Sequence, residues 1–428
     1  MRKKILVRGP VLSQSGYGEH ARFVLRALRA RENEVDIHVL PTGWGETGWI
    51  SETNEERKWL DESITTCAKY LESKQPYDVS IQVTIPSEWE LIAPVNIGVT
   101  AGIETTKVSA DWLQKSNMMN KVIVVSEHAK QGFVNTIYKG IDEATRQEVT
   151  LGISTPIEVA HYPVKTYDDL PELDLELEYE FNYLAVAQWG PRKNIKNLIR
   201  WFVEENYDQE IGLVLKTSIK NNSMVDREYA EIMIKDAISG IGDIEDRKCK
   251  IYLLHGDMSD EEMHSLYNHP KIKAMLSLTH GEGFGLPLFE AAYSGMPVIA
   301  PEWSGHLDFL CAPPENASKS AKKKKTRKPY FAVVDFTMGH IPQEAVWPGV
   351  LEKDSMWCYP AEGSFKLRMR QVRKDYDKWL KRAQYLQKWI LEEFDSDKKH
   401  KELAAALIPE VSTEEAEWLE TLSNIEIL

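Results

Sequence analysis

Charged side chains that could bind or activate a substrate lie in loops that follow short apolar runs. The stretch THGEGFGLPLFE places Glu282 and Glu290 on either side of a Gly-Phe-Gly-Leu-Pro turn, and QWGPRKN places Arg192 next to Lys193. A third loop, AGIETT, carries Glu104. Carboxylates accept hydrogen bonds and can act as acids or bases, whereas adjacent cations suit a phosphate. These five residues are the first candidates for a functional site.

The two acids of the first stretch are expected to have separate tasks. Pro287 suits the first turn of a helix, which Leu288–Tyr293 would continue. Glu282 then lies on the loop and Glu290 lies within the first turns. The two carboxylates therefore do not share a helical face.

Arg192 and Lys193 are predicted to open a helix, because apolar residues follow them with the 3.6-residue period. Cations are favoured in the last turn of a helix and not in its first, where the dipole is positive. Their position therefore predicts that they neutralise another group, and a diphosphate is the candidate. The alternative is two solvated surface cations.

A glycine-containing loop, SQSGYGEHAR, follows the first predicted strand. Gly16 and Gly18 are expected just before a helix that begins near Glu19. The backbone N–H groups of such a turn can approach a phosphate, but the third glycine of GxGxxG is missing and a simple turn explains the motif equally well. Trp44 and Trp49 in the next loop either stack on a flat ligand or cap the core.

Glu104 follows another predicted strand, at the end where α/β folds bind ligands. It is a candidate for catalysis or for orienting an acceptor. Alternatively, Glu104 and Thr105 cap the following helix. The sequence leaves both roles open.

Parallel strands are needed to bring these loops together, and short apolar runs alternate with amphipathic stretches in the manner of parallel α/β folds. The predicted strands are Lys4–Val7, Val35–Leu40, Val79–Val83, Ile97–Ala101, Lys121–Val125, Ile157–His161, Tyr183–Ala187, Gly212–Lys216, Lys250–Leu254, Ala274–Leu278, Pro297–Ala300 and Phe331–Val334. An acidic segment, Thr166–Glu180, reads as a junction. We predict two Rossmann-like doubly wound domains that face an interdomain cleft, at residues 1–170 and 178–385, with C-terminal helices at 386–428 that return toward the first domain.

Composition fits a globular protein with more than one domain. The chain has 428 residues, of which 43% are hydrophobic and 28% charged, and its net charge of −14 disfavours a general nucleic-acid binder. Four scattered cysteines, the absence of a signal-like N-terminus and the absence of a long apolar run predict a cytoplasmic protein without a transmembrane segment. No metal site is expected, since the D-x-D at Asp395–Asp397 reads as a helix start.

The stretch HGEGFGLPLFEAAYSGMPVIAPEWSG resembles the signature of the retaining sugar-nucleotide glycosyltransferases of family 4 (group 1), which have the GT-B fold. In that E-x7-E signature seven residues separate two glutamates, and Glu282 and Glu290 match them. The stretches QWGPRKN, SEHAKQGF and SGYGEHAR are also similar to the family. The resemblance runs from about Ile5 to Leu310. It implies a hexosyltransferase that uses a UDP- or GDP-sugar donor and has no obligatory cofactor.

The resemblance also implies how the tasks are divided. Glu290 would accept hydrogen bonds from the ribose hydroxyls and Glu282 from the donor sugar. Lys193, with Arg192, would stabilise the negative charge that develops on the diphosphate. The leaving diphosphate oxygen would take the acceptor proton, so that no protein base is required. The other donor-binding residues implied are Gly16, Gly18, Lys216, His280, Gly283, Phe284, Gly285 and Leu286.

Two departures from the family affect these assignments. Gln188 stands where many relatives have an arginine, so the cationic role falls on Arg192 or on Lys216. Glu104 stands where many relatives have a histidine, which leaves the acceptor open: a glycan, a small molecule or a polyanion. The oligomeric state is also open.

A basic insertion, Lys319–Lys328, interrupts the acidic chain. It is either a solvated loop or a clamp for a polyanionic acceptor. The second possibility gives an alternative function, a nucleic-acid-directed glycosyltransferase or a nucleic-acid-binding GT-B-like protein. A less favoured alternative is an NAD(P)-dependent oxidoreductase built on the Gly16–Gly18 loop, which would explain neither acid of the E-x7-E stretch.

Overall fold

The structure, a computed structural model, describes residues 2–45, 47–50, 53–141, 146–242, 245–315 and 327–408. The first part of the chain contains the strands β1 (Lys3–Gly9), β2 (Val35–Pro41), β3 (Val79–Val83), β4 (Val95–Thr100), β5 (Lys121–Val124), β6 (Tyr138–Ile141), β7 (Glu148–Leu151) and β8 (Ile157–Val159). Its helices are α1 (Gly16–Arg29), α2 (Glu55–Glu72), α3 (Ala110–Asn117) and α4 (Glu127–Val134). Six of these strands form a parallel sheet in the order β2-β1-β3-β4-β5-β8, and β6 and β7 form an antiparallel hairpin.

The second part repeats this architecture. Its strands are β9 (Asn182–Val186), β10 (Gly212–Lys216), β11 (Lys250–Leu254), β12 (Ile272–Leu276), β13 (Val298–Pro301), β14 (Cys311–Ala312), β15 (Lys328–Pro329), β16 (Ala332–Val334), β17 (Phe336–His340) and β18 (Met356–Pro360). Its helices are α5 (Ile195–Asn206), α6 (Met224–Ile238), α7 (Asp260–Asn268), α8 (Leu286–Tyr293) and α9 (Leu307–Leu310). The parallel sheet has the order β11-β10-β9-β12-β13-β16. This order is that of the Rossmann fold.

Both sheets are covered by helices, which explains why their strands are continuous apolar runs. All five residues of β3 are buried, as are the last five of β4. Strands buried on both faces are typical of parallel α/β sheets. The twelve predicted sheet strands are all present, with ends that shift by up to two residues, and two facing Rossmann-like domains are the GT-B arrangement.

Three helices complete the described chain: α10 (Glu362–Lys374), α11 (Tyr376–Glu393) and α12 (Ser396–Leu407). Helix α11 packs on α8 of the second domain, whereas α12 packs on α1 of the first. The chain therefore crosses between the domains near Phe394, whose carbonyl accepts a hydrogen bond from Val164 N at 2.9 Å. The boundary placed at residue 386 lies inside α11. Asp395 caps α12 through Lys398 N, so the D-x-D is a helix start.

Two expected helix starts are wrong. Helix α1 begins at Gly16 and not near Glu19, because the Ser15 hydroxyl caps it by accepting a hydrogen bond from Gly18 N at 3.0 Å. Arg192 lies in a short 3₁₀ turn that precedes α5, because Asn194 is left-handed (φ +55°) and separates the turn from the helix. The two cations next to each other therefore stand before the helix and not in its first turn.

Among the described residues, no helix combines the length and the apolar character needed to cross a bilayer. The cytoplasmic location stays a prediction. Most of the basic insertion, up to residue 326, lies outside the described residues. At its end, the Arg327 guanidinium lies 5.2 Å from the Trp389 ring and Lys328 Nζ lies 5.0 Å from the Tyr330 ring.

Candidate active site

A cavity of about 780 Å³ opens between the two domains, at the carboxyl ends of both sheets. Sites for small ligands commonly have volumes of about 300–1,000 Å³. Two of the predicted residues, Gly18 and His280, do not line the cavity. The predicted residues that do line it are Gly16, Glu104, Arg192, Lys193, Lys216, Glu282, Gly283, Phe284, Gly285, Leu286 and Glu290.

Rossmann topology explains why the charged residues meet. In the second sheet the strand order reverses between β9 and β12, and doubly wound folds bind ligands at such a switch point. The turn after β9 carries Arg192 and Lys193, and the loop after β12 carries Glu282. Glu282 and the Arg192–Lys193 pair, which are about 90 residues apart in sequence, are therefore neighbours at this edge of the sheet.

Glycines in the loop after β12 let the first domain approach closely. A Cβ atom at Gly281 would lie 2.2 Å from the carbonyl oxygen of Glu104, and one at Gly283 would lie 2.6 Å from that of Ala101. Ser126 adds a hydrogen bond from its hydroxyl to the Gly283 carbonyl at 2.5 Å. These glycines therefore serve contact between the domains, a role that sequence reasoning did not assign to them.

Helix α8 begins at the floor of the cleft. Gly285 precedes it with φ +97°, a left-handed conformation that favours glycine, and Pro287 occupies its first turn. Gly285 and Leu286 line the cavity. The unpaired N–H groups and the positive dipole end of α8 suit an anion at this point.

Glu282 is the most enclosed charged group of the cleft, with 9% of its side chain exposed. Its carboxylate accepts from Lys193 Nζ at 2.6 Å and from the Arg192 guanidinium at 3.0 Å. Burial alone would raise the pKa of Glu282, but the charges of Lys193 and Arg192 outweigh it and lower the pKa to about 2. Glu282 is therefore ionised at neutral pH.

Arg192 joins the two domains. Its guanidinium donates to Glu282 and to the carbonyl of Gly281, at 2.7 Å for the latter, and it also lies 3.3 Å from a carboxylate oxygen of Glu104. Burial and the neighbouring Arg192 lower the pKa of Lys193, an effect that Glu282 opposes. The four side chains form a cluster with two positive and two negative charges, which we call the charge quartet (Glu104, Arg192, Lys193 and Glu282).

Glu290 is held apart from that cluster. It lies on α8, and its carboxylate accepts a hydrogen bond from the buried Tyr267 hydroxyl at 2.9 Å. Burial raises the pKa of Glu290 to about 7. The two acids thus differ strongly in their tendency to ionise, in keeping with the prediction that they have separate tasks.

Other predicted residues are placed as follows. Lys216 Nζ donates to the Gly256 carbonyl at the cleft wall, and burial lowers its pKa. The Phe284 ring is buried among aromatic rings, 5.1 Å from that of Tyr162, so only its backbone can serve the cleft. His280 is held by β18, with Nδ1 2.6 Å from the Cys358 carbonyl.

Gly18 has a structural reason to be glycine. A Cβ atom there would lie 2.0 Å from the carbonyl oxygen of Ser13. The glycine therefore lets the first turn of α1 pack on the preceding loop. Gly16 has open space at the same position and lines the cleft.

Tyr17 and Lys165 are two of the cleft residues that sequence reasoning missed. Tyr17 lies between the two candidate glycines, and its hydroxyl is 2.8 Å from Thr100 Oγ1, while its ring centroid is 4.2 Å from that of Trp44. Lys165 bridges the domains, since its Nζ lies 3.0 Å from Glu19 on α1 and 2.7 Å from Asp260 on α7. The GYG motif could have pointed to Tyr17. Nothing in the sequence marks Lys165, because its partners are distant in the chain.

Comparison with known families identifies the part of the chain that carries most of these residues. Residues 175–312 match the family model described as glycosyl transferases group 1. This part of the chain resembles a glycosyltransferase. The matched range contains the Arg192–Lys193 turn, the loop after β12 and α8. The match supports the expectation of a group 1 glycosyltransferase. Among curated proteins, no sequence matches the chain.

Solved structures share the fold over nearly the whole chain. Alr3699/HepE of Anabaena, in complex with UDP and glucose, has a TM-score of 0.58 at 14% identity and covers 99% of this chain and 100% of its own. An E. coli structure described as trehalose-6-phosphate bound with UDP-2-fluoro glucose has a TM-score of 0.56 at 11% identity, covering 95% and 100%. Sucrose-phosphate synthase of Thermosynechococcus elongatus has a TM-score of 0.53 at 15% identity, covering 99% and 98%. The GT-B fold predicted from the sequence is confirmed.

Proposed function

We propose that this protein is a retaining glycosyltransferase that moves a hexose from a UDP- or GDP-sugar to an acceptor hydroxyl. The observation that carries this proposal is the pair of cations, Arg192 and Lys193, held by Glu282 at the switch point of a group 1 domain. The solved structures with this fold that hold UDP or UDP-sugars agree with the choice of donor.

The donor would lie along the second domain. Its diphosphate would contact Lys193, Arg192 and the N-terminus of α8, which together offer two cations and free N–H groups. Glu290, on the same helix, would accept hydrogen bonds from the ribose hydroxyls. Glu282 would hold the transferred sugar through its hydroxyl groups while its other contacts keep it in place.

In the reaction, the bond between the anomeric carbon and the diphosphate oxygen breaks, and a bond from that carbon to the acceptor oxygen forms. The acceptor proton passes to the departing diphosphate oxygen on the same face of the sugar. Arg192 and Lys193 would stabilise the charge that develops on the diphosphate. Glu282 is held by two cations and is not required as a nucleophile, unlike the carboxylate of a retaining glycosidase.

A nucleotide panel tests this function directly. We expect UDP, GDP or their sugars to raise the melting temperature in a concentration-dependent way, because ligands that bind only the native state stabilise it. One nucleotide sugar should also be hydrolysed slowly, and the first-formed sugar, observed by NMR, should keep the anomeric configuration of the donor. NAD⁺ and NADP⁺ serve as controls for the oxidoreductase alternative. A stabilising effect of these dinucleotides alone would overturn the proposal.

The pKa of Glu290 predicts how donor binding depends on pH. With a pKa of about 7, the carboxylate that accepts from the ribose is largely protonated at pH 6 and largely ionised at pH 8. We expect the affinity for UDP-glucose, whose diphosphate does not titrate in this range, to fall about tenfold in total between pH 8 and pH 6, following the ionised fraction of Glu290. Isothermal titration calorimetry between pH 6 and 8 measures this.

Two variants support that measurement. Glu290→Gln should bind UDP-glucose more weakly at pH 8 and should lose the pH dependence, because its amide does not titrate. Glu261→Gln, another acid of the cleft wall, is the matched control and should keep the wild-type profile. A pH dependence that persists in Glu290→Gln would assign it to another group.

A further inference from the structure

The four side chains of the charge quartet have a net charge of zero and therefore do not, as a group, attract an anionic sugar-nucleotide donor. Two carboxylates, Glu104 and Glu282, compensate the two cations that would bind the diphosphate. A nucleoside diphosphate brings at least two negative charges of its own. The two cations would then face four negative charges, so withdrawal of one carboxylate from Arg192 would favour binding of the diphosphate.

Several contacts hold Glu282 in place. Its backbone N–H donates to the Ser304 hydroxyl at 2.9 Å, and its carbonyl accepts from Gly305 N at 2.9 Å. Its carboxylate has two cationic partners and only 9% exposure. Turning this side chain away would leave a buried charge without its contacts, which is costly.

Few contacts hold the Glu104 carboxylate in place. Among the described residues its one ion pair is the contact with Arg192, at 3.3 Å, and 24% of the side chain is exposed. It belongs to the opposite domain, while its main chain is fixed against Gly281. The side chain can therefore turn into the cleft without movement of the loop that carries it.

We infer that the Glu104 carboxylate competes with the donor diphosphate for Arg192 and turns away from Arg192 when the donor binds. This inference rests on the proposed function. It deepens that function by naming the internal contact that the donor diphosphate replaces at Arg192. The Tyr17 hydroxyl, bonded to Thr100 and to the N–H of Ala101, lies on the same side of the cleft.

The test measures UDP binding, for which no acceptor has to be known. In Glu104→Gln the internal competitor is neutral, so UDP should bind about five-fold more tightly than to the wild type, the gain expected when a partly exposed ion pair no longer competes. Glu261→Gln removes an acid from the same cleft without an ion pair to Arg192 and should change the affinity little. Unchanged or weaker binding to Glu104→Gln would overturn the inference.

A double-mutant cycle shows whether the gain passes through Arg192. We expect Arg192→Gln to bind UDP more weakly than the wild type. In this background Glu104→Gln should no longer increase the affinity for UDP. A gain that persists there would also overturn the inference. Glu104→Asp is a second variant for the case that Glu104→Gln does not fold, because its shorter side chain reaches Arg192 less well and should shift the affinity in the same direction. If the wild type binds no nucleoside diphosphate at all, the proposed function itself fails, which is a different result.

Discussion

Replacing Lys193 with methionine is expected to lower kcat by about 10²- to 10³-fold, the loss typical for one preorganised donor that stabilises charge in a transition state. Lys193 Nζ lies 2.6 Å from Glu282, and 19% of the Lys193 side chain is exposed. A positive charge in such an environment interacts strongly with the charge that develops on the departing diphosphate. Methionine keeps much of the volume and removes the charge together with the hydrogen bond to Glu282.

Initial rates of sugar-nucleotide hydrolysis, with donor varied, separate the effect on kcat from that on KM. Lys196→Met is the matched control, because Lys196 follows three residues later and pairs with Asp236 on an exposed surface. We expect that control to retain wild-type rates. A Lys193→Met enzyme with near-normal kcat would move the diphosphate role to Arg192 or to Lys216.

Much of the fold follows from the sequence, because parallel sheets covered on both faces need uninterrupted apolar strands. Strand β3 at Val79–Val83 and β10 at Gly212–Lys216 begin and end where their patterns predict. The candidate loops are recognisable for the same reason, since they follow strands whose carboxyl ends lie at one edge. The placement of Glu282 beside Lys193 needs only this topology.

Relations between the two domains are harder to predict, because they depend on how two independently folded sheets face each other. The contact of Glu104 with Arg192 joins residues of different domains, and no local period or motif encodes it. The same holds for Gly281, whose missing Cβ makes room for the main chain of the first domain. The sequence shows such a glycine as part of a turn and cannot show what approaches it.

Local capping also overrides pattern where a single side chain changes the backbone. The Ser15 cap lets α1 begin three residues before the start near Glu19 that the sequence predicts, and so places Gly16 inside the helix. Asn194, in a left-handed conformation, separates the cations from α5. Arg192 and Lys193 consequently lie directly before α5 and do not belong to its first turn.

Glu282→Gln is expected to lower the free energy of unfolding by about 3–5 kcal/mol. We expect turnover to fall as well. The carboxylate has two cationic partners at 2.6 and 3.0 Å, and a neutral amide would leave Lys193 without its ion pair and Arg192 paired with Glu104 alone. Removing one partner of a buried ion pair typically costs this amount, because the remaining charge has lost its compensation. Urea unfolding at pH 7 measures the loss, and Glu302→Gln, an exposed acid two residues before Ser304, is the control.

The pH dependence of this loss distinguishes an ionic role from a packing role. In the folded protein the pKa of Glu282 is lowered from 4.5 to about 2, so its ionised form contributes stability that is complete above about pH 4.5 and disappears as the pH falls toward 2. Glutamine does not titrate. The stability difference between wild type and Glu282→Gln should therefore narrow between pH 4.5 and pH 2. A difference that stays constant over this range would show that Glu282 stabilises the cleft through its shape and hydrogen bonds and not through its charge.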